Sequence, residues 1–513
     1  MFIRKKKNRS GTTSVVVVDK SRGDYRELVT IGVSNDNSEI ESLCRQAKKW
    51  IDIHCGNSDV FEQAAKELEE KQVTEYLLSN VEKILINGTQ LILNQVFKTT
   101  GFDSINDDIL KHLVVARLSQ PMSKSGTVDY LKSYFDEDVQ LHNIYRYLDK
   151  LHSTQQDKIQ QISVEHTRKI LGGKIGLMFY DVTTLYFESD YGDEFREAGF
   201  SKDGKHSQPQ VVLGLLVSKE GYPLSYSLFN GSQYEGRTMI PIIEDFVQRF
   251  KLDDFIVVAD SGLMNKSNIA LLESGGYKYI IGARIKSENK VIRRWILSLQ
   301  KQDGAFNETT KEGIRLIIGY STKRAKKDKY NREKGVRRLQ KAYQSGNITK
   351  ENINKRGYNK FLEISDNVKV KINQEKIRED EKWDGLKGYI TNTSLPAKEI
   401  YEQYNGLWII ERAYRITKGT LEMRPMFHFT QRRIEAHVCI CFVAYKVYKE
   451  LERVLKIIGI DLSVDKVLNI AKTITTIKVK LPTSGTILTK TMLLTPKHKS
   501  IAMLFDEKLW ESF

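Results

Sequence analysis

Ile175-Gly176-Leu177-Met178-Phe179-Tyr180-Asp181 and Phe255-Ile256-Val257-Val258-Ala259-Asp260 decide the fold. Each is a mostly apolar run of strand length that closes on an aspartate. Runs of this kind, without polar alternation, belong to strands buried on both faces. Between them, Val211 to Val217, a turn at Glu220-Gly221 and Leu224 to Phe229 read as a hairpin, and Met239 to Phe250 reads as a helix. Beyond the second run come Gly262, a helix near Lys266 to Ser274, and a strand from Tyr277 to Ile281. Strands alternating with helices around buried central strands predict an α/β sheet. The two aspartates then fall at strand ends, where such sheets place their sites. Taken singly, an aspartate there is more often a turn or helix-capping residue.

Towards the N-terminus, Thr13 to Asp19 and Glu27 to Gly32 are strand-like, and helical patterns run from Glu39 to Ile53 and from Asp59 to Leu93, the second with room for a break. Residues 105 to 170 look wholly helical, with Leu110, Leu113, Val114 and Leu118 at helix spacing. A turn at Ser123-Lys124-Ser125-Gly126 precedes a helix from Thr127 to Phe135, and another helix carries Ile144, Tyr145, Tyr147 and Leu148. That pattern suits a helix-turn-helix in a DNA groove and suits a plain helical bundle equally.

The chain of 513 residues carries 81 Lys+Arg against 65 Asp+Glu, a net charge of +16. Such an excess favours a polyanionic partner, because each phosphate neutralised releases counterions. The excess is concentrated: Ser321 to Gln344 holds Lys323, Arg324, Lys326, Lys327 and six further basic residues, opposed only by Asp328 and Glu333. A run so one-sided suits DNA better than a merely solvated face. The basic Met1 to Lys7 is followed by no apolar run of signal-peptide length, and no stretch of about 20 apolar residues occurs, so neither a secretion signal nor a membrane span is expected. Cys44, Cys55, Cys439 and Cys441 lack zinc-site spacing and read as reduced thiols of a cytoplasmic protein. There is no phosphate-binding G-x₄-G-K-[ST] loop and no serine nucleophile elbow. His206, in the polar loop from Ser201, reads as solvated, and His437 as a core histidine.

The third acidic candidate lies in a helix from Glu399 to Leu421. Tyr404, Trp408, Glu411, Arg415 and Lys418 recur at steps of four, three, four and three, within roughly 40° of one line on an ideal helix. The other faces carry Leu407, Ile409, Ile410, Ala413, Ile416 and Leu421, so the helix is expected to pack deeply and show its ionic stripe to a cleft. Two aspartates on neighbouring strands and a glutamate brought in later can hold a pair of hard cations about 3.5–4 Å apart for in-line phosphoryl displacement.

Tyr404-x₂-Leu407-x₃-Glu411-x₆-Lys418 resembles the YREK signature of bacterial insertion-sequence transposases of the DDE class, with Leu407 in place of the arginine. Phe179 to Thr184, Val258 to Gly262, and the downstream Arg424-Pro425-Met426-Phe427-His428, Arg433-Ile434 and His437 resemble the same family. The likeness is nearest to the insertion-sequence-four type, whose long gap between second and third carboxylates holds an inserted β-rich domain. The resemblance implies a ribonuclease-H-like catalytic core, with Asp181, Asp260 and Glu411 as catalytic residues and ligands of two Mg²⁺ or Mn²⁺ ions. It further implies water and a DNA 3′-hydroxyl as successive nucleophiles. Tyr404, Arg415 and Lys418 would hold DNA phosphates, and Trp383 or Trp295 would stack on an extruded base unless both are simply core residues. Lys323, Arg324, Lys326 and Lys327 would add backbone contacts.

The domain organisation expected is an N-terminal region of short strands then helices at 1–104, a helical and potentially DNA-binding segment at 105–172, and a core split into 173–284 and 396–450. A basic insertion at 285–395 separates the halves, and C-terminal helices occupy 451–513. The partners implied are double-stranded DNA, both terminal inverted repeats and target, and a second protomer when two ends are paired. Two alternatives stay open: a transposase-derived DNA-binding protein that no longer cuts, and a structure-selective nuclease without strand transfer.

Overall fold

The computed structural model describes residues 1–21, 23–189, 191–201, 204–252, 254–263, 265–345, 357–364 and 370–513, apart from the side chains of 57–64 and 364. Lys202 and Asp203 of the polar loop before His206, and parts of the expected basic insertion, lie outside it. The chain forms two compact units, Met1–Ile84 with Thr476–Thr491, and Leu85–Thr475 with Met492–Phe513.

In the smaller unit, Phe2–Lys7, Thr13–Asp19 and Arg26–Ser34 form an antiparallel sheet. The helix Asn37–His54, capped by the Asp36 carboxylate, packs Ile40 and Ala47 against Val15 and Val17. A second sheet has Thr475–Lys480 between Ile487–Met492 and Val81–Leu85. The expected helix over Asp59–Leu93 is therefore two, Asn57–Ser79 and Gly88–Thr99, divided by a strand. The C-terminal region also supplies strands as well as helices.

The larger unit is built on a nine-stranded sheet: β1 (Leu177–Tyr186), β2 (Glu197–Ala198), β3 (Pro209–Ser218), β4 (Pro223–Asn230), β5 (Ile256–Ala259), β6 (Lys278–Ala283), β7 (Phe306–Lys311), β8 (Ile314–Tyr320) and β9 (Leu386–Thr391). Its order is β7-β8-β9-β6-β5-β1-β3-β2, with β4 on β3. The strands β1, β5 and β6 are mutually parallel, whereas β3 and β4 form an antiparallel meander with β1. Both faces are covered, as the unbroken apolar runs require. On one face Phe179, Val258, Ile317 and Tyr389 meet helices that include α5 (Gln431–Ile457); on the other, Tyr180, Val257, Ile281 and Leu316 meet α1 (Met239–Phe250) and its neighbours.

Two expectations are corrected. Asp181 does not end its strand: β1 runs five residues further, since Val182, Thr183 and Thr184 are β-branched and pair with β3 as far as Gln210. The described residues of 285–395 also do not form a separate β-rich domain. They contribute β7, β8 and β9 to the central sheet, because β8 alternates Leu316 and Ile318 into one core with Ile317 into the other, and a strand buried on both faces belongs inside a sheet. The basic run is a single helix, α2 (Thr322–Gln344), beside a small core of Leu339, Phe361, Leu362, Val370 and Ile377. The helices of 105–170 pack Leu113, Val114, Leu131, Ile144 and Leu148 into the same apolar cluster as α5.

Candidate active site

The two aspartates owe their placement to the β1–β5 register. Tyr180 lies opposite Ala259 in this parallel pair, so Asp181 and Asp260 are the next residues along the two neighbouring strands. Side chains alternate along a strand. Tyr180 and Ala259 belong to one core, Phe179 and Val258 to the other, so both carboxylates fall on the Phe179 face. Asp181 is half-buried, whereas Asp260, one residue past β5, is exposed. The turn after Asp260 is held by the Arg284 guanidinium, which donates to the carbonyls of Ser261 and Gly262 at 2.9 Å each.

That face is covered by the segment from Ala397. The expected continuous helix is broken into α3 (Ala397–Asn405) and α4 (Trp408–Arg415), followed by a wide turn over Ile416–Thr420. At the break, the amides of Gly406 and Leu407 donate to the carbonyls three residues back, at 3.0 and 3.1 Å. Gly406 is needed there because a Cβ would stand 2.4 Å from the Phe179 ring. The break splits the expected stripe. Tyr404 points inward and is 3% exposed, whereas Trp408, Glu411 and Arg415 line an exposed side of α4 and Lys418 sits half-buried in the wide turn.

Two hydroxyls tie this segment to the aspartate strands. Tyr404 Oη donates to Asp260 Oδ1 at 2.9 Å, and Tyr414 Oη donates to the Asp181 backbone carbonyl at 2.6 Å. Burial first, and then the charge of Asp260, push the Tyr404 phenol well above its ordinary range, so it stays protonated and keeps donating. Gly282 makes room for that bond, since a Cβ there would lie 2.4 Å from the Tyr404 hydroxyl.

A cleft of about 680 Å³ opens beside Asp260 and Tyr404, with Arg284, Arg324, Lys387 and Trp383 among its walls. Lys387, on β9, is not among the residues singled out from the sequence. Its ammonium stands 4.2 Å above the Tyr404 ring. Burial and the neighbouring Arg324 push it down to about 8, against the pull of Asp260 and Glu411. Trp383 is 6% exposed with the Arg293 guanidinium 5.8 Å above its ring, and Trp295 packs into the same apolar cluster. Lys323, Arg324, Lys326 and Lys327 are exposed on the first turns of α2. Leu407 is buried in the helical core. His437 is buried too, 3.8 Å from the Cys441 thiol. Among the described residues, no three His, Cys, Asp or Glu side chains converge closely enough to hold a metal ion, and no helix is long and apolar enough to cross a membrane.

The family model for a transposase DDE domain matches residues 172–446, more than half of the chain. No curated protein matches it. Among solved structures, the chain is similar to the piggyBac transposase in its synaptic complex with hairpin DNA, at 10% identity over 75% of this chain and 78% of that one, with a TM-score of 0.39. It is also similar to the Mos1 transposase in a paired-end complex with the left transposon end, at 11% identity over 33% of this chain and 57% of that one, with a TM-score of 0.16.

Proposed function

The chain belongs to the transposase DDE domain family, and we propose that it is a DNA transposase of the insertion-sequence-four type, cutting at its element's terminal inverted repeats and joining the freed 3′-hydroxyls to target DNA. The observation that carries this reading is the placement of Asp181 and Asp260 in register on one sheet face, with the segment bearing Glu411 bonded to both strands through Tyr404 and Tyr414. The succession β4-β3-β1-β5-β6, antiparallel and then parallel, supports a ribonuclease-H-like core at 173–284, completed by 396–450.

The donor set fits Mg²⁺ or Mn²⁺. Carboxylate oxygens are hard ligands, and Mg²⁺ commonly takes one or two carboxylates with water and substrate phosphate in its remaining positions. Asp181 and Asp260 would provide those two, and Glu411, exposed on α4, would complete the set for a pair of ions once DNA lies across the face. Ions so held lower the pKa of water and neutralise charge on the phosphoryl oxygens. The chain's own part is positioning: Tyr404 fixes one oxygen of Asp260, Arg284 holds the turn beneath it, and Tyr414 anchors α4 to β1.

Arg415, Lys418 and the α2 cations Lys323, Arg324, Lys326 and Lys327 would hold DNA phosphates, and Trp383, at the cleft wall, is better placed than Trp295 to meet an extruded base. Pairing of two ends implies a homodimer on DNA, and the reaction belongs in a bacterial cytoplasm. The test is a plasmid carrying both ends of the element, incubated with the protein and Mg²⁺ or Mn²⁺. Metal-dependent cuts at the ends and joined 3′ products support the reading; cuts without joining would point to a nuclease. The buried Leu407 at the signature's arginine position favours a second reading, a DNA-binding descendant that no longer cuts, and binding without any cut would select it.

A further inference from the structure

Lys387 and Arg324 stand where two cavities meet. Both line the cleft beside Asp260, and both line a second cavity of about 480 Å³ whose walls include Phe306, Tyr320 and Tyr401. They form a cationic ridge between the two. Lys387 shares the Tyr389 side of β9, and Tyr389 belongs to the core on the Asp260 face.

The Lys387 ammonium is half-buried against Tyr404 and, among the described residues, has no carboxylate within ion-pair distance. Asp260 and Glu411 act on it only from further off. Burying an ammonium without a close partner is costly, so a site of this kind is built to receive an anion. Arg324 is exposed, and its ion pair with Asp328 one turn along α2 is a loose 3.6 Å contact that leaves most of its donors available.

We propose that Lys387 and Arg324, from β9 and α2, together bind one phosphodiester of the DNA strand lying across Asp260. This rests on the transposase reading. Arginine's planar fork and lysine's compact ammonium both suit a phosphate oxygen, and an anion on this ridge would sit beside the carboxylates without occupying their ligand positions.

The test measures affinity for a duplex carrying one element end against salt concentration, for wild type, Lys387→Gln, Arg324→Gln, the double variant and Lys387→Arg, with melting temperatures for each. Loss of one phosphate contact lowers the slope of log affinity against log salt by ~0.9. Each single variant is expected to lose part of that and the double about all of it, while Lys387→Arg keeps the wild-type slope. Unchanged slopes in variants of a wild type that binds would overturn this inference and leave the transposase reading standing. A lower melting temperature with an unchanged slope would make Lys387 a structural counter-charge and overturn it equally. A wild type that does not bind the duplex would sink the transposase reading itself.

Discussion

Replacing Tyr404 by phenylalanine removes one oxygen and leaves the ring where it is. The ring keeps its edge contact with Tyr389, 4.9 Å between centroids, and remains under Lys387. The hydroxyl's partner is a carboxylate, and hydrogen bonds to charged groups contribute about 1.5–3 kcal/mol. Asp260 is exposed, so water replaces much of that in the resting protein, and the folding stability should fall by no more than ~1 kcal/mol. Water cannot hold the carboxylate in one orientation, so the larger loss should appear where orientation matters. A drop of about 10- to 150-fold in metal-dependent cutting is expected, with the Mg²⁺ midpoint moved upward. The assay is single-turnover cleavage of a plasmid carrying the element ends across a Mg²⁺ titration, beside a thermal melt. A Tyr404→Phe protein that cuts at the wild-type rate with the wild-type Mg²⁺ midpoint would refute the argument that this bond positions Asp260.

Other expectations follow from packing and charge. Gly282→Ala would place a Cβ 2.4 Å from the Tyr404 hydroxyl, so cutting should fall at least as far as in Tyr404→Phe, and a crystal structure of the variant should show Tyr404 displaced. Gly406→Ala would press on Phe179 at 2.4 Å and should cost ~1–3 kcal/mol in chemical denaturation, as overpacked cores do. Glu450 is fully buried in α5; burial would raise its pKa, but the His166 ring 3.7 Å away and the hydrogen bonds from Arg453 outweigh that and hold it at about 2. Because the folded value is depressed, its contribution is complete above the ordinary 4.5 and disappears as pH falls towards 2. Glu450→Gln should therefore flatten the acid limb of the stability curve measured by urea melts between pH 5 and about 2.5.

The parts of the fold that could be read in advance are those where one physical requirement dominates. A strand buried on both faces has little choice but an apolar run, so β1, β5 and β6 were visible, and the helices Met239–Phe250 and Lys266–Ser274 lie where their patterns put them. What was hidden depends on neighbours distant in sequence. The extension of β1 beyond Asp181 needs β3 beside it. The break at Gly406 answers to the Phe179 ring on another element, so helix periodicity alone predicts one continuous stripe. The strands of 285–395 looked like a separate insertion because nothing local says which sheet edge they join. Lys387 was missed for the same reason, since its interest comes from Tyr404, Arg324 and Asp260, all far away along the chain. The candidate carboxylates could be named from the sequence; the hydroxyls that hold them could not be given that role.

The most direct test of the triad compares wild type with Asp181→Ala, Asp260→Ala and Glu411→Ala, each measured for binding to an element end and for metal-dependent cutting of the two-ended plasmid. All three variants should fold and bind with near wild-type affinity while cutting falls below detection. A variant that binds and still cuts at the wild-type rate would remove that carboxylate from the active site and contradict the account.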